Sequence, residues 1–136
     1  YFDQNIMEKA AKVGALTDKA YLDALETCRK YARIEGIDKV MDANRLDAIF
    51  APANSPSWMI DTVNGDCFGE DVSSSTLPAV AGYPNITVPA GFVKELPVGI
   101  SLFGRPFSEG TLIKLAYAFE QATKARRKPK FLVTYK

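Results

Sequence analysis

The chain has 136 residues, and its shares of apolar (47%) and charged residues (24%) are typical of a packed globular domain rather than of disordered or collagen-like protein. Lys and Arg number 17 against 16 Asp and Glu. The resulting net charge of +1 gives no general attraction for nucleic acid or acidic lipid. No apolar run approaches the roughly 20 residues that cross a bilayer. We therefore expect one domain that contacts neither nucleic acid nor membrane, and a cytoplasmic location.

The cysteine and histidine content limits which metal sites and catalytic relays this chain can form. The two cysteines, Cys28 and Cys67, are far apart and show no C-x-x-C spacing, so we expect free thiols and no zinc site. The chain has no His, which excludes Ser-His-Asp and Cys-His relays and removes the commonest metal ligand. Ser with Lys is the remaining nucleophilic route. No metal and no other cofactor is predicted.

Helical patterns dominate residues 1–45. A short helix is expected over residues 4–13, and Thr17 suits the N-cap of a second helix. In that second helix an apolar stripe recurs at i, i+4, i+7 and i+11, formed by Tyr21, Leu25, Cys28 and Ala32. The period resumes after Gly36, which leaves two alternatives: one helix with a weak point at this glycine, or two abutting helices.

Residues 46–136 are expected to form a mixed sheet with helices. Residues 46–50 are a short apolar run before Pro52, and this run predicts a buried strand. Residues 51–75 are rich in Pro, Ser, Asn, Gly and Asp, and a loop of this length in a compact domain is usually functional or disordered. A short helix is predicted over residues 76–82.

Two further predicted strands, residues 85–90 and 98–103, are separated by seven residues. A parallel pair needs a crossover of about a dozen residues or more, so these strands should pair antiparallel. Pro89 cannot donate a ladder hydrogen bond and therefore belongs at an edge or a bulge. The last helix begins after Ser108 and has an apolar face formed by Leu112, Leu115, Ala116 and Phe119. The order of elements predicts an α/β fold.

The serine run in the long loop is the tempting local nucleophile. Ser73, Ser74 or Ser75 could act with a Lys whose pKa is lowered by burial. The favoured interpretation is a polar loop whose hydroxyls cap the helix that follows.

Other features of this loop also have a non-catalytic interpretation. Residues 61–66 resemble a calcium loop, but Val72 stands where a bidentate Glu would close it. We predict a turn at Asn64–Gly65 instead. Trp58 suits a core position and a pocket wall equally well.

A basic cluster follows the last predicted helix and consists of Lys124, Arg126, Arg127, Lys128 and Lys130. Such a cluster can contact nucleic acid. Cations are also favoured near the unpaired carbonyls of a helix C-terminus, and this simpler explanation is preferred. No nucleic-acid partner is predicted.

Three motifs follow one another in the second half of the chain. They are A-P-A-N-S-P-S-W at residues 51–58, P-A-V-A-G-Y-P-N-I-T-V-P-A-G at residues 78–91 and L-P-V-G-I-S-L-F-G at residues 96–104. In this order and spacing they resemble the amidase-signature family of hydrolases. The resemblance extends over roughly residues 38–131.

The resemblance implies an α/β/α fold around a large mixed sheet, to which this chain contributes the C-terminal strands and covering helices. It also implies hydrolysis of carbon–nitrogen amide bonds by a Ser nucleophile, a second Ser across a cis peptide and a Lys base. In the family these groups lie in a Gly/Ser-rich segment nearer the N-terminus, and no such segment occurs here. The catalytic triad is therefore expected upstream of Tyr1. We expect residues 1–136 to be the C-terminal fragment of an amidase, without catalytic residues and inactive alone.

In this family the segment before the A-G-x-P helix approaches the substrate. The resemblance thus implies a substrate-binding wall formed by Asp71, Ser73, Ser74, Ser75, Trp58 and Asn64. The expected partners are a small-molecule amide substrate and the upstream part of the same polypeptide. Because a cut sheet exposes strand edges, the fragment is also expected to self-associate. The alternative is a non-catalytic interaction or scaffold domain with an amidase-like fold.

Overall fold

The computed structural model describes residues 3–65 and 72–131. In chain order the elements of these residues are α1 (Asn5–Ala11), α2 (Lys19–Arg29), a π-helical segment (Lys30–Asp38), α3 (Lys39–Asn44), β1 (Ile49–Pro52), α4 (Thr76–Ala81), β2 (Asn85–Val93), β3 (Leu96–Phe103) and α5 (Glu109–Thr123). Helices cover a three-stranded sheet, which confirms the predicted α/β class. None of the helices in these two ranges is long and apolar enough to cross a membrane.

Tyr1, Cys67 and Asp71, which the sequence predictions name, lie outside the described ranges. The expected position of the catalytic triad upstream of Tyr1 therefore stays a prediction. The expected free thiol of Cys67 also stays a prediction. Cys28 is described, and it is a free, exposed cysteine as expected.

Helix α2 starts one residue later than predicted. Its N-cap is Asp18, which has an extended backbone, rather than Thr17. The predicted apolar stripe of this helix is only partly covered: Ala32 is buried, Leu25 is half-buried, and Tyr21 and Cys28 are exposed. Only the C-terminal end of the stripe therefore reaches the core.

The helical region bends at Gly36. This residue has φ −99° and ψ −106°, values outside the helical range, so the two-helix alternative is confirmed. A Cβ atom at Gly36 would overlap the carbonyl oxygen of Tyr31. The bend turns Ile37 and Met41 inward, where their side chains are 0% and 2% exposed.

The sheet has the strand order β1-β3-β2 with β3 in the centre, and both pairs are antiparallel. The predicted antiparallel pairing of β2 and β3 is confirmed, although residues 94–95 alone connect them because both strands extend further than expected. The register shifts between Pro89 and Gly91, in a strand at the edge of this sheet. Pro89 thus occupies the predicted bulge at an edge. No parallel pair of a mixed sheet occurs among these three strands.

Strand β1 differs from its prediction in position and burial. It was expected over residues 46–50 as a buried strand, but it begins at Ile49, and Phe50 is 58% exposed. Leu46 cannot join the strand because its N–H donates to the Met41 carbonyl and closes α3 (2.9 Å). The Phe50 ring lies against Phe119, with centroids 6.0 Å apart.

Successive residues of β3 point to opposite sheet faces and divide the core into two clusters. One cluster contains Ala32, Ile37, Met41, Ala81 and Phe103. The other contains Ile100, Leu102, Leu112 and Ala116, with Leu115 and Phe119 packed against it. The predicted apolar face of α5 is therefore confirmed as the face that covers the sheet.

Polar contacts fasten the bent helical region to two turns. The Tyr83 hydroxyl donates to the Asp38 carboxylate (2.8 Å), and Arg33 donates to the Ala81 carbonyl (2.6 Å). Arg105, in the turn after β3, forms ion pairs with Asp38 and Asp42. We call this set of contacts the turn clamp.

The basic tail after α5 contacts the β2–β3 hairpin. Arg127 and Lys130 both bind the Glu95 carboxylate (3.1 and 3.0 Å), and the Arg127 guanidinium lies 3.5 Å from the centre of the Phe92 ring. The hydrogen bond from Lys130 is the main cause of a lowered pKa at Glu95. Helix-end carbonyls, the explanation predicted for this cluster, are therefore not the partners of these two cations.

Core packing on α5 can be tested with two adjacent residues. We expect Leu112→Ala to lower the free energy of unfolding by about 2–5 kcal/mol, because Leu112 is 1% exposed and its truncation leaves a cavity. Ile113→Ala is the matched control, since Ile113 is 57% exposed. Chemical denaturation measures both, and equal losses would contradict the described orientation of α5.

The turn clamp predicts a pH-dependent contribution from Tyr83. Burial, and then the hydrogen bond to Asp38, raise the pKa of Tyr83 above its ordinary value of 10.0. Its contribution to stability is complete below that ordinary pKa and is lost as the pH rises through the higher folded-state pKa.

We therefore expect Tyr83→Phe to cost about 1 kcal/mol near neutral pH. The difference from the unsubstituted chain should shrink above about pH 10. Denaturation from pH 8 to 11 measures it, and Tyr117→Phe, at a 63% exposed tyrosine, serves as the control. A difference that stays constant across this range would contradict the role of the Tyr83 hydroxyl.

Candidate functional site

A groove of about 640 Å³ opens between the helical region, α4 and the sheet. Tyr31 and Ala32 line one side, Leu77 and Val80 line the α4 side, and Phe103 of β3 contributes to the sheet side. None of the described residues that line this groove is charged. We call it the apolar groove.

Helix α4 presents apolar residues on two faces. Pro78 and Ala81 are buried in the core, whereas Leu77 and Val80 are 42% and 47% exposed and line the apolar groove. Gly82 ends the helix in the left-handed conformation (φ 67°), as its sequence predicts. The second apolar face is available because nothing in the described residues covers it.

The serine run leads from the long loop into α4. Ser73 forms an isolated antiparallel bridge with Asn54, and the Ser74 N–H donates to the Ala53 carbonyl (3.4 Å). These contacts attach the segment to the end of β1. Ser73 and Ser74 both line the apolar groove.

The serine hydroxyls do not cap α4, contrary to the prediction. The Oγ atoms of Ser73 and Ser75 lie 3.0 Å apart and share a hydrogen bond, and the N-cap residue Ser75 makes no side-chain capping bond. The Ser74 hydroxyl is buried and has no hydrogen-bond partner in the part of the chain that the structure describes. No Lys is among the described residues that line the groove, so none of them supplies the base that the Ser and Lys route needs.

The other predicted wall residues lie elsewhere. Trp58 is 38% exposed and lines a second cavity of about 560 Å³. Asn54 also lines that cavity, although its bridge partner Ser73 lines the apolar groove. Asp71 lies outside the described residues.

Asn64 belongs to the turn that the sequence predicts. Its side chain donates to the Asp61 carboxylate (2.9 Å), which also accepts the N–H groups of Val63 and Asn64. These bonds, that of the Asn64 N–H above all, lower the pKa of Asp61. Gly65 follows with φ 84°. Within residues 3–65 and 72–131 no three His, Cys, Asp or Glu side chains are grouped to hold a metal ion.

Sequence reasoning did not find the helical wall of the groove. Cys28 belongs to the predicted apolar stripe of α2, Tyr31 adjoins that stripe, and the pattern predicts a face turned toward the core. Both residues are nevertheless exposed and line the groove. The available signal was the pattern of α4, where apolar residues occupy every position from Leu77 to Ala81 and supply two faces instead of one.

Comparison with known proteins places this geometry in a family. The family model described as Amidase matches residues 1–113. A probable amidase of Arabidopsis thaliana is 41% identical over 110 residues, which is 80% of this chain. A glutamyl-tRNA(Gln) amidotransferase subunit of Carboxydothermus hydrogenoformans is 39% identical over 117 residues, or 82% of the chain.

A solved structure shares the fold. The crystal structure of native peptide amidase from Stenotrophomonas maltophilia superposes with a TM-score of 0.86 at 41% identity and covers 96% of this chain. The chain spans 18% of the Arabidopsis protein, 23% of the Carboxydothermus protein and 26% of the peptide amidase. Both the sequence motifs and the backbone lead to one conclusion: this chain belongs to the amidase family.

Proposed function

We propose that this chain is the C-terminal part of an amidase that hydrolyses carbon–nitrogen amide bonds. The observation that carries the proposal is the superposition on a peptide amidase over nearly the whole chain, at 41% sequence identity. The Ser and Lys chemistry proposed for the intact enzyme rests on the resemblance of the three sequence motifs to the family. In this proposal the Ser nucleophile, the second Ser and the Lys base belong to a part of the polypeptide upstream of Tyr1.

The role proposed for the chain itself is scaffold and pocket wall. The three-layer arrangement holds the serine run at the end of β1, where it borders the apolar groove. Such a wall orients the substrate and excludes water from the reacting amide, and both effects lower the barrier without a chemical step by the wall. Ser73 and Ser74 are its central residues, because both line the groove. Ser75 and Asp71 stay predicted members of the wall. Trp58 lines the second cavity and Asn64 belongs to the turn at Asp61, so neither is part of the wall at this groove.

Activity measurements separate this proposal from the alternatives. We expect the full-length polypeptide to release ammonia from carboxamides, and the 136-residue chain to release none, because no Lys is among the described residues that line the groove beside its serines. The assay compares both proteins on one panel of peptide amides.

Two outcomes would contradict the proposal. Turnover by the isolated chain that Ser74→Ala abolishes would identify a local nucleophile. A full-length polypeptide that hydrolyses no amide would favour the non-catalytic scaffold domain.

Self-association of the isolated chain is proposed from its uncovered strand. Among the described strands β1 pairs with β3 alone, so its other edge presents free backbone groups beside the exposed Phe50. We expect the average mass in light scattering to rise with protein concentration. Phe50→Lys should reduce this rise, because a charge on an edge strand opposes pairing.

The control for this measurement is Tyr117→Lys, which places the same charge on an exposed position of α5. Circular dichroism confirms that both variants fold. A chain that remains monomeric at every concentration, or equal effects of the two variants, would contradict association through β1.

A further inference from the structure

In the part of the chain that the structure describes, the lining of the apolar groove combines apolar side chains with hydroxyl groups and carries no charge. Its hydroxyls come from Tyr31, Thr27, Ser73, Ser74 and Thr76. The volume of about 640 Å³ falls within the range of about 300–1,000 Å³ that is usual for ligand pockets. We propose that this groove binds the uncharged apolar or aromatic side chain that adjoins the scissile amide of the substrate. This inference rests on the proposed amidase function.

Neutrality of the lining gives the groove its selectivity. The nearby cations already have partners, since Arg33 binds the Ala81 carbonyl and Lys30 forms an ion pair with Glu35. A substrate ammonium or carboxylate group that entered the groove would lose water and find no opposite charge among the described lining residues. An apolar side chain instead gains contact with Leu77, Val80 and the rest of the wall.

The serine run places a neutral hydrogen-bonding group at the same groove. Ser73 lines the groove, and its hydroxyl shares a hydrogen bond with that of Ser75; when Ser75 is the donor, the Ser73 hydroxyl keeps its own hydrogen available at the groove. That hydrogen suits a neutral acceptor such as an amide carbonyl. A peptide amide has this combination, because its side chain and its amide carbonyl are attached to the same carbon atom.

Cys28 provides a probe that does not depend on turnover. It is a free, exposed cysteine that lines the groove, so an occupant of the groove should slow its alkylation. The rate is followed by mass spectrometry of the peptide that contains Cys28, both in the 136-residue chain and in the full-length polypeptide. The probes are N-acetyl-phenylalaninamide, N-acetyl-leucinamide, N-acetyl-lysinamide and N-acetyl-glutamic acid α-amide.

We expect the two apolar amides to protect Cys28 at concentrations at least about 10-fold lower than the two charged amides, because a contact difference of this kind is worth 10-fold or more. Val80→Glu should weaken protection by the phenylalanine amide about 10-fold or more and strengthen protection by the lysine amide. Val93→Glu is the matched control, because Val93 is 50% exposed on the hairpin, against 47% for Val80, and lies outside the groove. This control variant should change the protection of Cys28 neither by the phenylalanine amide nor by the lysine amide.

Several outcomes would overturn the inference. Equal protection by all four amides, or equal effects of the two Glu variants, would show that the groove does not select the side chain. Slow alkylation of Cys28 in the full-length polypeptide without any amide would show that another part of the protein fills the groove.

Hydrolysis by the full-length polypeptide separates this inference from the proposed function. Turnover of all four amides at similar kcat/KM would overturn the side-chain preference and leave the amidase function standing. Selective protection of Cys28 without turnover of any amide would support the binding site and contradict the amidase function.

Discussion

The bend at Gly36 is the constraint on which the other contacts of this chain depend. Only a residue without a side chain fits there, because a Cβ atom would overlap the backbone of Tyr31. The bend directs Ile37 and Met41 into the core and brings Asp38 within 2.8 Å of the Tyr83 hydroxyl. In a straight helix Ile37 and Met41 would lie in different surroundings. Asp38 would lie away from Tyr83, and the turn clamp would lose this contact.

The clamp and the serine run secure α4 at its two ends. Arg33 binds the carbonyl of Ala81 at the C-terminal end, and the bridge between Ser73 and Asn54 fixes the segment that precedes the N-terminal end. A helix of six residues has little stability of its own. Its orientation, and with it the shape of the apolar groove, is therefore determined by contacts outside the helix.

Local rules predicted the elements that depend on local chemistry. Gly82 ends α4 and Pro89 adjoins a bulge, because each effect follows from the backbone freedom or the missing N–H of one residue. Ser108 precedes α5 as predicted, although its hydroxyl donates to the Arg105 carbonyl and does not cap the helix. Features that depend on distant partners were not predictable. The pairing of Arg127 with Glu95, 32 positions apart, and the exposure of Cys28 in an apolar stripe require knowledge of which surfaces meet. Likewise, the hydrogen bond from Leu46 to the end of α3 keeps this residue out of β1, although the apolar composition of residues 46–50 predicts a strand there.

The motif that makes this chain recognisable as an amidase relative is an architectural one. Within A-G-Y-P-N-I-T-V-P-A-G the glycine at position 82 supplies a left-handed turn, Tyr83 joins the clamp, and Pro89 shapes the edge of the sheet. None of these three tasks involves breaking a bond. A descendant could therefore exchange its substrate, or lose its chemistry altogether, while this stretch of sequence stayed the same. Similarity in this motif therefore shows that the fold is shared. The reaction has to be established from residues outside the motif.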